Sequence, residues 1–69
     1  MTDHVYKLLD FVGSSPISQD EAIRNAIQRA AETSATLRWF EVKEVRGQIV
    51  DGKVAHWQVT IRIGSTVTP

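Results

Sequence analysis

The dipeptide Asp51-Gly52 constrains this chain more than any other feature. It separates two runs of strand-forming residues, and both central positions of a type I′ turn need positive φ, which glycine favours and aspartate tolerates. A hairpin closed there sets a register in which paired residue numbers add to the same total as 51 and 52. On one side Phe40 then faces Ile63, Val42 faces Ile61 and Glu44 faces Val59. On the other, Trp39 lies opposite Gly64, Glu41 opposite Arg62, Lys43 opposite Thr60 and Val45 opposite Gln58. This register pairs apolar residues on one side and sets the Glu41 and Arg62 charges across from each other. A bulge at Gly47 would shift the pairing below it.

Upstream, Val5 to Val12 is rich in strand formers and closes with the breaker cluster Gly13-Ser14-Ser15-Pro16. Val5, Leu9 and Phe11 form its expected inner side. Ser18-Gln19-Asp20-Glu21 has the form of a capping box, with the Ser18 hydroxyl accepting from the Glu21 amide and Glu21 reaching back. Acidic Asp20 and Glu21 suit the positive end of a helix dipole. Behind them Ile23, Ala26, Ile27, Ala30 and Ala31 repeat at helical spacing and predict one apolar stripe. A stripe so rich in alanine suits a helix lying close against a flat sheet. Thr33-Ser34-Ala35-Thr36 ends it. The fold class is therefore α+β, a β-α-β-β chain with a three-stranded antiparallel sheet and one helix packed across one face.

Sixty-nine residues make one domain, 1–69, too small to bury much surface. Such chains need a staple. No cysteine is present, which removes disulfides and thiolate metal sites, and His4 and His56 are too few for a structural zinc site. Partner copies of the same chain remain. Eight basic and eight acidic residues give a net charge of zero, which speaks against a nucleic-acid partner. There is no apolar run long enough to span a membrane and no signal-peptide pattern, so no membrane partner is expected and the cytoplasm is the expected location.

Catalytic patterns are missing: no nucleophile elbow, no phosphate-cradling glycine loop, no histidine beside a plausible serine. Glu41 and Glu44, three apart on a strand, should point to opposite faces. His56 reads as a surface histidine, and Gly13-Ser14-Ser15-Pro16 as a turn into the helix. The aromatics say more. Trp57 shares the apolar face of Val59, Ile61 and Ile63, whereas Trp39 points away from it. Trp39 serves either as interface packing or as a stacking surface for a ring. Gln58, on the Trp39 face, offers one acceptor and two donors in a plane, which matches the polar edge of a flavin or pyrimidine. The two lie six strand positions apart, roughly 20 Å. A site that uses both must be assembled by different subunits.

Taken in order, Val5-Tyr6-Lys7, Val12-Gly13-Ser14-Ser15, Asp20-Glu21-Ala22-Ile23, Ala30-Ala31-Glu32-Thr33, Trp39-Phe40-Glu41-Val42, Arg46-Gly47 and the stretch Asp51 to Thr60 resemble the dodecins, a family of small flavin-binding proteins. The resemblance implies a hollow homododecamer of β-α-β-β subunits with flavins bound as stacked pairs at twofold positions between subunits. The tryptophan aligned with Trp39 would sandwich them, and the glutamine aligned with Gln58 would hold the polar edge. It implies flavin mononucleotide (FMN) as the flavin, coenzyme A as a further ligand in some members, and storage, buffering and photoprotection instead of turnover. Arg46 and Lys43 are candidates for the flavin phosphate by charge alone. The end of the chain departs from the pattern. Related sequences continue past the final glycine with an aromatic, a basic residue and more strand; here Ser65-Thr66-Val67-Thr68-Pro69 follows Gly64.

Overall fold

The computed structural model describes residues 4–67. Its elements follow the expected order: β1 (Tyr6–Ser15), α1 (Gln19–Thr33), β2 (Leu37–Val50) and β3 (Lys53–Thr66). The strands form one antiparallel sheet in the order β1-β3-β2. Asp51 and Gly52 have φ of 52° and 74°, so the turn is the one their chemistry favours.

The helix begins at Ser18, whose hydroxyl accepts from the Glu21 amide at 3.1 Å. Only that half of the capping box forms, because the Glu21 carboxylate turns toward Arg24, at 3.7 Å. At the other end the Thr33 hydroxyl donates to the Ala30 carbonyl at 2.8 Å.

The buried stripe of α1 is Ala22, Ala26 and Ala30, with Ile23 and Ile27 half-buried beside it. Ala31, expected inside, is exposed. The helix is rotated toward Ala22 by its contact with β1. A methyl group at Gly13 would overlap the Ala22 carbonyl oxygen and come within 2.9 Å of the Ala26 Cβ. Gly13 and the alanines together let helix and strand touch backbone to backbone.

Beneath them lie Val59, Ile61 and Ile63 of the central strand, all buried, with Leu9, Phe11, Leu37 and Trp57 packed around. Each fully buried aliphatic side chain contributes about 1.5–3 kcal/mol. Leu9 and Phe11 are thus inside as expected, but Val5 precedes β1 and is exposed. The helix packs across β1 and β3 and barely reaches β2. Phe40, Val42 and Val45 on the helix side of β2 therefore stay 45%, 46% and 44% exposed. This uncovered apolar strip is what a stabilising partner would cover.

The hairpin register holds at Trp39↔Gly64, Phe40↔Ile63, Glu41↔Arg62 and Val42↔Ile61. It then slips. Lys43 has no partner, so Glu44 pairs with Thr60, Val45 with Val59 and Arg46 with Gln58. Ala55 is skipped on β3, which restores the original pairing at Ile49↔Val54. A further irregularity falls at Arg38. The bulges sit at Arg38, Lys43 and Ala55, not at Gly47, which pairs with Trp57. Two expectations change in consequence. Val45 lies on the helix side opposite Val59, and Glu44 lies on the open face, the same face as Glu41.

Beyond Ser15↔Trp57 the hairpin continues as a two-stranded ribbon, and the molecule measures 56 × 20 × 13 Å. Ile49, Val50 and Val54 near its tip are exposed.

Candidate ligand-binding site

The face of the sheet away from the helix is uncovered. Strand alternation and the register place on it Tyr6, Leu8, Asp10, Val12 and Ser14 from β1. They also place there Gln58, Thr60, Arg62 and Gly64 from β3, and Trp39, Glu41, Glu44 and Arg46 from β2.

Trp39 is 41% exposed at one end of this face. Its indole lies over Gly64: a methyl group there would overlap the ring atoms Cε2, Cζ2 and Cδ2. Those three atoms belong to the six-membered ring, so the ring covers the glycine with a face and turns its other face outward. Tyr6 meets the indole edge-on, with centroids 5.9 Å apart and planes at 64°. His4 stacks on Tyr6 at 6.4 Å. Neither Gly64 nor Tyr6 was assigned a role from the sequence. The signal for Gly64 was there, since a glycine inside a strand often marks a close approach.

The middle of the face carries charge. Arg62 Nε donates to Asp10 Oδ1 at 3.0 Å, and Glu41 lies within reach of the same guanidinium's field. The hydrogen bond from Arg62 holds the Asp10 carboxyl below the usual carboxylate range, desolvation partly opposes it, and the charges of Arg62 and Lys43 add to it. A depressed folded-state pKa contributes stability above the unfolded value, about 3.9, that is lost as pH falls through the folded value. Asp10→Asn is therefore expected to flatten the acid limb of a melting-temperature curve below about pH 4. An unchanged limb would show that this pair does not report on folding.

At the far end Gln58 is half-buried, with Arg46 and Ser14 as its lateral neighbours. The Arg46 guanidinium is engaged by the Glu44 carboxylate. His56 is exposed and lies 3.2 Å from Gln48. Ser15, the last residue of β1, is buried and accepts from the Ile17 amide at 3.0 Å. Of Gly13-Ser14-Ser15-Pro16, read from the sequence as a turn, the first three residues are strand and only Pro16 lies in the connection to the helix.

The candidate residues thus fall in three places. Arg46 and Gln58 come together, Lys43 sits between the ends at its bulge, and Trp39 stands apart. Gln58 precedes Gly64 by six residues on β3, so the separation from Trp39 is roughly 20 Å. The cleft at the foot of Trp39 is mostly apolar and about 160 Å³, lined by Ile27, Leu37, Arg38, Trp39, Phe40 and Ile63. That is smaller than the roughly 300–1,000 Å³ of an ordinary small-molecule pocket. One chain does not enclose a ligand here.

These features define a class: a small β-α-β-β domain that displays a seated tryptophan on an uncovered sheet face. Residues 5–68 match the family model for dodecin, and the chain belongs to the dodecin family. A curated dodecin from Thermus thermophilus is 43% identical over 60 residues, 87% of either chain. The solved dodecin from Streptomyces davaonensis is 51% identical with a TM-score of 0.92, covering 99% of this chain and 100% of that one. That from Streptomyces coelicolor is 49% identical with a TM-score of 0.93, covering 100% and 99%. Among the described residues no helix is long and apolar enough to cross a membrane. The family match itself runs to residue 68, and of the ending read from the sequence as departing from the family pattern, Thr68-Pro69 lies outside the described residues. Within them, the strand continues to Thr66.

Proposed function

We propose that this chain is a non-enzymatic flavin-binding protein that stores, buffers and photoprotects flavin mononucleotide in the cytoplasm. It works as a hollow homododecamer with flavin pairs stacked on Trp39 between subunits. The observation that carries this reading is the indole laid over Gly64, with one face turned outward and only a small cleft at its foot in the single chain. An electron-rich indole face suits an electron-poor isoalloxazine, and stacking offers large contact area. Bound flavin would supply the light-absorbing, redox-active ring; the protein's part is to stack, orient and shield it.

Gln58 supplies both donors and an acceptor for the polar edge and comes from a different subunit than the stacking Trp39. Arg46, beside Gln58, and Lys43 are the cations for the phosphate, and coenzyme A is a second ligand class proposed on the family resemblance. Among the described residues, the neighbours of Trp39 on its end of the face are Tyr6, Leu8 and Gly64, with His4 beyond Tyr6.

Fluorescence titration with flavin mononucleotide and with riboflavin tests the proposal. The native oligomer is expected to quench both at micromolar flavin. Arg46→Ala and Lys43→Ala are expected to weaken the mononucleotide more than riboflavin, which lacks the phosphate. Absence of quenching of either flavin would instead favour a purely structural assembly with Trp39 as interface packing.

A further inference from the structure

We infer that Tyr6 is a positioning residue for Trp39, fixing which face of the indole is open to a ring ligand. The ligand consequence rests on the flavin-stacking proposal; the positioning itself does not. The indole is held from two directions. Beneath it, Gly64 leaves the space that the six-membered ring occupies. Beside it, Tyr6 presents at 5.9 Å and 64°, an edge-to-face arrangement that the two ring quadrupoles favour. Rotation toward β1 meets Tyr6, and rotation downward meets the Gly64 backbone. What remains is one outward face.

Tyr6 is the first residue of β1, a place where strands fray. The end of β3 prevents this. Thr66 pairs with Tyr6, and the Val67 amide donates to the Val5 carbonyl at 2.9 Å. The Thr66 amide donates to the Thr36 carbonyl at 2.9 Å, and the Ser65 and Thr36 hydroxyls are 2.7 Å apart. One short segment of β3 therefore ties down the start of β1, which carries Tyr6, and the approach to β2, which carries Trp39. Ser65-Thr66-Val67 acts on the site through Tyr6.

The test uses the native oligomer labelled with 5-fluorotryptophan, which gives one fluorine signal for each of the two tryptophans. Trp39→Phe assigns them. Without ligand, Tyr6→Leu is expected to shift and broaden the Trp39 signal and leave that of Trp57 unchanged, whereas Tyr6→Phe keeps both. In titrations with flavin mononucleotide, Tyr6→Leu is expected to lose about tenfold in affinity, the size of one aromatic pair, and Tyr6→Phe less than twofold. Should Tyr6→Leu fail to assemble, Tyr6→Val, a better strand former, replaces it. An unchanged Trp39 signal together with unchanged affinity in the leucine or valine variant would overturn the inference. If the wild type itself binds no flavin, the flavin proposal falls, while the fluorine signal still decides whether Tyr6 holds the indole.

Discussion

Trp39→Ala is expected to abolish quenching of flavin mononucleotide and to weaken its binding by about 1–3 kcal/mol, the range for bases stacked on aromatic side chains. The fold should survive. The indole touches Gly64 and Tyr6 on the open face and is not part of the cluster formed by the helix alanines with Val59, Ile61 and Ile63. Thermal melts and helix content should therefore stay close to wild type, and size-exclusion chromatography should return the same assembly. Trp39→Phe keeps a smaller, less electron-rich ring and should fall between the two in both affinity and quenching. The opposite pattern, a broken assembly with flavin affinity intact, would make Trp39 a packing residue between copies.

Gly13→Ala is expected to destabilise the protein by about 1–3 kcal/mol, the range of what overpacking costs. The position is not special in its backbone angles, since Gly52 is the only glycine with positive φ. Space is what matters. The added methyl would meet a backbone carbonyl, that of Ala22, which has no rotamer to adopt, and the Ala26 methyl behind it. Relief requires lifting α1 off the sheet, which loosens Ala22, Ala26 and Ala30 against β3. Urea unfolding measures the loss directly. Val12→Ala, at a neighbouring residue 64% exposed on the other face, is the control and should cost far less. Equal midpoints for Gly13→Ala and wild type would show that the helix can shift without loss.

The hairpin and the helix were legible because local rules decide them. Asp51-Gly52 dictates its own turn, and Ser18 dictates a helix start. The register was legible near Trp39, where a tryptophan needs the empty space of Gly64 and Glu41 needs Arg62. It became illegible at Lys43, because a bulge there leaves no local mark in the sequence. One unpaired residue then moved Val45 to the helix side and brought Glu44 to the open face. The helix stripe was off at Ala31 for a related reason. Helical spacing gives the period of a stripe, but the contact of Gly13 with Ala22, remote in sequence, sets which side faces inward. For the candidate site, the sequence contained Trp39 and Gln58 and their separation. It did not contain the clamp of Tyr6 and Gly64, which exists only once three strand ends are tied together.

The bulges on β2 bear on how copies of this chain can meet. β2 lies at the rim of the sheet, and a strand of fourteen residues with a free rim is a template for another strand. Its hydrogen-bonding rim is interrupted at Arg38 and again at Lys43. Each interruption bends the strand and carries a cation, two devices that discourage a neighbour from adding edge to edge. Strand-upon-strand addition is thereby discouraged over the Leu37–Glu44 half of β2, and in the proposed assembly the exposed apolar strip of Phe40, Val42 and Val45 is the surface left for copies to share.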